Sequence, residues 1–126
     1  MSDSKTLAVE YIEAVGRHEF ERVEALLAPN VEFEMPGRTI TGAAAYVASL
    51  RKLAPVILRN EIRSTVADGD EVAIFYDFVT DTPVGAVPSA EWLTVEGDRI
   101  RRVRLVFHSL LWPQVQDELR RRAAAA

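Results

Sequence analysis

Near Pro55 the apolar residues change their spacing from helical to alternating, and this switch constrains the fold more than any other feature of the chain. Over residues 6–16, Leu7, Tyr11, Ala14 and Val15 recur at helical spacing, with Ser4 placed to cap the start and Gly16 to stop the end. Phe20, Val23, Leu26 and Leu27 repeat the pattern in a second short helix that Ala28-Pro29-Asn30 ends. Residues 31–35 alternate apolar and acidic side chains as a short strand, which Pro36-Gly37 breaks. After Thr41-Gly42, the residues Tyr46, Val47, Leu50, Leu53 and Ala54 share one side of a third helix, closed by Pro55.

Beyond Pro55 the chain reads as four longer strands, at residues 56–67, 71–80, 89–96 and 99–111. Asp68-Gly69-Asp70 and Glu96-Gly97-Asp98 are tight glycine turns of the kind that join antiparallel neighbours, while residues 80–88 form a longer loop. Pro113 suits the first turn of a terminal helix with Val115 and Leu119 inward. Helices followed by a meander of long strands predict an α+β class, with the three helices of the N-terminal half packed on the concave face of a curved antiparallel sheet. Strands this long coil strongly, and helices laid across them leave the open end of the resulting cone as a cavity.

The 126 residues fit one domain spanning 1–126, with residues 1–4 and 121–126 expected as loose or frayed ends. Fifteen basic against nineteen acidic side chains give a net charge of −4, the wrong sign for a phosphate-binding surface, so nucleic acid is not an expected partner. The absence of cysteine excludes disulfides, thiolate metal sites and thiol nucleophiles. No run approaches the ~18 apolar residues of a membrane span, and the start lacks the pattern of a secretory leader, which predicts a cytoplasmic protein without membrane contact. His18 and His108 have no partners at a metal-ligand spacing, so neither a metal nor a cofactor is expected. Ser64, Ser89 and Ser109 lie in no nucleophile-elbow sequence.

Period-two alternation orients the polar residues. Glu91 shares a face with Leu93 and Val95, so it points inward if they do. Val103, Leu105, Phe107 and Ser109 oppose Arg102, Arg104 and His108, which places the arginines outside. Leu58, Asn60, Ile62, Ser64 and Val66 form a mostly apolar row, making Asn60 a candidate hydrogen-bond donor of the cavity. In the run 71–80 two rows compete, and the row with Tyr76 is taken as inward. A carboxyl group on an apolar row must be paired, reach solvent, or keep its proton with a raised pKa. Glu91 is therefore either a strand-end salt bridge or a hydrogen-bond donor and general acid/base.

The element order over residues 6–112, with the strings Glu10-Tyr11-Ile12-Glu13-Ala14-Val15, Phe33-Glu34-Met35-Pro36-Gly37, Ile40-Thr41-Gly42 and Val66-Ala67-Asp68-Gly69-Asp70-Glu71-Val72, resembles the nuclear transport factor 2-like superfamily. Within it, the chain is similar to the branch of ketosteroid isomerases, SnoaL-like polyketide cyclases and limonene-type epoxide hydrolases. The resemblance implies that Glu91 stands where ketosteroid isomerases carry an aspartic acid of their oxyanion hole and that Tyr11 matches their tyrosine donor; on its own, Tyr11 reads as a core tyrosine. It departs from the pattern at the base: Met35 occupies the place of their aspartate, one residue before Pro36. Glu34 matches a water-holding asparagine of the epoxide hydrolases, though simple alternation turns it outward unless a bulge beside Pro36 reverses the facing. Leu105 takes the place of an aspartate shared by the cyclases and epoxide hydrolases.

Together these readings predict a cofactor-independent isomerase, cyclase or hydrolase that moves protons on a small apolar organic ligand. Tyr11, Glu34 and Glu91 are the expected catalytic groups, and Met35, Tyr46, Asn60, Tyr76, Leu93, Leu105 and Phe107 the expected ligand contacts. The alternative is a non-catalytic ligand-binding or dimerisation module of the same fold. Outward Trp92, Val106 and Leu110 beside arginines predict a homodimer through the outer sheet face.

Overall fold

Asp3, rather than Ser4, caps the first helix: its side chain accepts a 2.7 Å hydrogen bond from the Thr6 backbone, and α1 runs Ser4–Gly16. The computed structural model describes residues 3–125, so the ends expected to be loose lie partly outside it, at Met1, Ser2 and Ala126. After α1 the chain turns through a left-handed His18 into α2 (Phe20–Leu26). It then enters β1 at once (Leu27–Met35). The helix therefore ends before the Ala28-Pro29-Asn30 stop, and the strand starts earlier than the alternation of residues 31–35 suggests.

Pro36-Gly37 is not a plain break but a hairpin turn into β2 (Arg38–Thr41), which pairs antiparallel with β1. Gly42, at a φ of 101°, leads into α3 (Ala43–Leu53). The remaining strands are β3 (Ile57–Asp68), β4 (Glu71–Thr80), β5 (Ala86–Glu96) and β6 (Arg99–Phe107), and α4 (Trp112–Ala125) closes the described chain.

The six strands form one curved, unclosed sheet in the order β2-β1-β6-β5-β4-β3. Every pair is antiparallel except β1 with β6, which is parallel, so the sheet is mixed rather than wholly antiparallel. That pairing is tertiary: the β1–β2 hairpin lies beside β6, the last strand of the meander.

Period-two orientation holds along β4, where Val72, Ile74, Tyr76 and Phe78 are buried, and along β5, where Val87, Glu91, Leu93 and Val95 are buried. It fails along β3. Register shifts between Ile57 and Arg59 and between Ile62 and Ser64 reverse the facing, so Asn60 and Ile62 stay on the helix side while Leu58, Ser64 and Val66 turn outward. The helices cover the concave face, with α1 across β3 and β4 and α3 against β1, and one apolar cluster joins them to the sheet.

Gly16 has a reason beyond ending a helix. A Cβ there would lie 2.6 Å from the Asn60 backbone nitrogen, so a side chain would hold α1 off β3. No helix among the described residues is long and apolar enough to cross a membrane.

Candidate functional site

Glu91 enters the interior because β5 alternates strictly between Val87 and Val95, and its partner across the ladder, Ile74, is fully buried. The side chain is only 5% exposed. One carboxyl oxygen, Oε2, accepts a short hydrogen bond from the Tyr76 hydroxyl; the other, Oε1, has no hydrogen-bond partner. Burial pushes the carboxyl up to about 7 from an ordinary 4.5, against the downward pull of the Tyr76 hydrogen bond and of the nearby Tyr11 hydroxyl. Among the described residues no basic side chain pairs with it, so it is not the strand-end salt bridge that the sequence left open.

A pair of phenols stands nearby. The Tyr11 and Tyr46 hydroxyls, on α1 and α3, share a hydrogen bond of 2.6 Å, and the Tyr46 ring stacks on Phe33 with centroids 4.1 Å apart. Burial holds both phenols well above their ordinary 10, and the Glu91 charge adds to the effect. Tyr76 is raised in the same way, by burial first and then by Glu91.

Glu91 and Tyr76 open onto a cavity of about 120 Å³. Its walls include Met35, Tyr46, Asn60, Leu105 and Phe107, all expected from the sequence, together with Phe33, Phe78 and Trp112, which were not. Phe33 and Phe78 share the alternation of Met35 and Tyr76, so that pattern could have found them. Trp112 carried no such signal: it begins α4 and reaches the cavity by packing on Phe107 and Phe78, with centroids 5.2 and 6.2 Å away. Arg122 fastens α4 by donating to the Pro55 carbonyl at 2.9 Å.

Three expected site residues sit elsewhere. Leu93 is fully buried but packs in the core below the cavity instead of lining it. Tyr11 does not line the cavity, although its hydroxyl, bonded to Tyr46, lies near enough to Glu91 to draw its carboxyl downward. Glu34 lies on the outer face, where it accepts a 2.6 Å hydrogen bond from Arg102 and meets Arg104 at 3.4 Å. The Arg102 hydrogen bond holds its carboxyl below the ordinary range. No bulge beside Pro36 reverses the facing: Glu34 stays paired with Thr39 and Met35 with Arg38, so it is Met35 that enters the cavity.

The cavity thus has one carboxyl group rather than two. Its hydroxyl groups from serine are occupied, Ser49 donating to Tyr46 O at 2.7 Å and Ser89 to Val87 O at 3.0 Å. His18 bonds the Ile57 carbonyl at 2.8 Å through Nε2, and His108 is exposed just past β6. Among the described residues no cluster of three or more His, Asp or Glu could hold a metal ion. What the arrangement can do is hold a proton on a buried acid and present it to a small apolar molecule.

Residues 8–103 match the family model of the SnoaL-like domain. Among curated proteins none matches. Solved structures share the fold. A protein from Kribbella flavida DSM 17836 superposes with a TM-score of 0.81 at 25% identity, over 90% of this chain and 93% of its own. A candidate ketosteroid isomerase from the same organism gives 0.75 at 24% identity, over 82% and 76%. A candidate SnoaL-like polyketide cyclase from Shewanella denitrificans OS-217 gives 0.77 at 16% identity, over 90% and 97%.

Proposed function

This chain belongs to the SnoaL-like domain family, within the nuclear transport factor 2-like superfamily, and from that premise we propose that it is a cofactor-independent enzyme that tautomerises a small apolar carbonyl compound through Glu91. The observation that carries the reading is a buried carboxyl group in the wall of an apolar cavity, with Oε2 fixed by Tyr76 and Oε1 without a partner. Below about pH 7 Glu91 is neutral, and in this reading Oε1 carries the proton. A carbonyl oxygen bound against it accepts this hydrogen bond and then the proton. The carboxylate so formed takes a proton from the adjacent carbon, the carbonyl compound becomes its enol, and Glu91 is neutral again. Tyr76 keeps its bond to Oε2 throughout and steadies the transient charge.

One carboxyl group suffices for this exchange. Opening an epoxide with water calls for a group that activates the water as well as one that protonates the oxygen, and the outward Glu34 is tied to two arginines. That arrangement favours tautomerisation, or the aldol-type ring closure an enol can undergo, over hydrolysis.

The test is exchange of the α-protons of acetophenone with heavy-water solvent, followed by proton NMR. Exchange is expected to be fastest below pH 7 and to fall about tenfold per pH unit well above it, because the acid form does the work. Glu34→Gln is expected to leave the rate unchanged. Exchange no faster than in buffer would leave a ligand-binding module without catalysis.

The outer sheet face supports a homodimer as part of the same proposal. Phe75 and Val106 flank Ala90 across three adjacent strands and are 47% and 62% exposed, and Arg104 stacks over the half-exposed Trp92 at 4.1 Å. Apolar side chains interleaved with arginine suit a self-complementary interface. Sedimentation equilibrium is expected to give a dimer for the parent and a monomer for Val106→Glu, with unchanged circular dichroism. A parent that sediments as a monomer would remove the dimer.

A further inference from the structure

Two buried side-chain atoms among the described residues lack a hydrogen-bond partner, Glu91 Oε1 and Asn60 Oδ1, and both residues line the same cavity. Their demands are opposite. Asn60 Nδ2 donates to the Ile12 carbonyl at 2.9 Å, which leaves Oδ1 as a buried, unpartnered acceptor on a residue of the cavity wall. Only an O–H or N–H group can satisfy it. Neutral Glu91, with Oε2 accepting from Tyr76, offers a proton on Oε1 and calls for an acceptor.

The two groups also stand at different ends of the cavity. Asn60 is on β3 opposite Phe78 and Glu91 is on β5 opposite Ile74, so β4 lies between them and their registers differ by four residues along it. At the usual strand spacing this is about 9–10 Å across the sheet and about 13 Å along it, before the side chains reach inward. The wall between is apolar: Phe33, Met35, Phe78, Leu105, Phe107 and Trp112. The cavity volume of about 120 Å³ is below the ~150 Å³ of an engineered apolar cavity that holds benzene. The two volumes are of the same order, so the enclosed space is on the scale of one ring and well short of four fused rings.

We propose, resting on the reading of Glu91 given above, that the ligand is a one-ring compound with a carbonyl group at one end and a hydroxyl at the other, the carbonyl accepting from Glu91 Oε1 and the hydroxyl donating to Asn60 Oδ1. An unmatched buried acceptor is costly, so a ligand without the hydroxyl binds less tightly even though it is more apolar. The same pairing selects direction, since a reversed ligand would set acceptor against acceptor at Asn60.

Calorimetric titration at pH 6 with 4-hydroxyacetophenone, acetophenone and a four-ring steroidal ketone tests the assignment. 4-Hydroxyacetophenone is expected to bind about tenfold more tightly than acetophenone, and the steroidal ketone not measurably. Asn60→Ala is expected to abolish the tenfold preference. Because that variant also loses the bond to Ile12, the comparison of ligands on the parent protein is the primary reading. Equal binding of the two acetophenones, or tight binding of the steroidal ketone, would overturn the proposal. Failure here is separable from failure of the catalytic reading. If the hydroxyl preference appears but no α-proton exchanges, the ligand class stands and catalysis falls. If acetophenone exchanges its protons while the hydroxyl makes no difference, catalysis stands and the ligand class falls.

Discussion

Replacing Glu91 by glutamine is expected to slow α-proton exchange by about 10²–10³-fold and, in the same protein, to raise its stability at pH 8 by on the order of 3 kcal/mol. The loss of rate follows because the amide holds its protons too firmly to give one to a carbonyl oxygen or take one from carbon. The gain in stability follows from where the carboxyl titrates. In the folded protein burial moves it up to about 7, whereas in the unfolded chain it ionises near 4.5. Between those values the unfolded chain has released a proton that the folded one retains, so the folded state of the parent loses stability as pH rises from about 4.5 to about 7, and above that the deficit is constant. The gap corresponds to on the order of 3 kcal/mol. Glutamine preserves the shape and the acceptor for Tyr76 without the ionisation. Denaturant titrations at pH 4 and pH 8 check this. Parent and variant should be similar at pH 4 and diverge by pH 8; a constant difference would mean that the carboxyl is not held neutral by burial.

Gly16→Ala is expected to lower Tm by on the order of 5–15 °C, from an overpacking cost of about 1–3 kcal/mol. In an ordinary helix this exchange stabilises by ~1 kcal/mol, so a loss isolates the contact with β3. The added Cβ meets three consecutive backbone atoms of β3, the Asn60 nitrogen at 2.6 Å and the Arg59 C and Cα at 3.2 and 3.3 Å. None of these is the movable end of a side chain. The Asn60 backbone is held in the β3–β4 ladder opposite Phe78, so α1 has to give way. Its displacement also stretches the Asn60 bond to Ile12, which couples helix packing to one end of the cavity. Thermal melts by circular dichroism provide the measurement, and an unchanged or higher Tm would show that the helix ends without pressing on the strand.

The features legible in the sequence were those with a local period. The β4 span, the glycine turns and the inward facing of Glu91 and Tyr76 follow from alternation because both strands run without a bulge over the residues concerned. The outward facing of Glu34 followed from the same rule, and the resemblance to enzymes with a base near that position argued against it without geometric support. β2 was missed because Ile40 is the only apolar residue of its four and gives no alternation to count. The β3 row was misread at Leu58 and Val66 because a bulge inserts one residue and leaves no trace in composition. The pairing of Tyr11 with Tyr46 and the entry of Trp112 into the cavity wall depend on how helices dock, which no spacing within one segment encodes.

The two register shifts in β3 have a bearing on how copies of the molecule avoid fusing into filaments. This strand is the outermost of the sheet on its side, twelve residues long, with one row of backbone amides and carbonyls left without a neighbouring strand. A straight edge of that length is a template onto which a second chain can add, and a third onto that. Two offsets cut it into short segments with mismatched phase, and Arg59 and Arg63, paired with Glu61 and Asp77, set charged side chains along the rim. Growth by strand addition is thereby disfavoured along this edge.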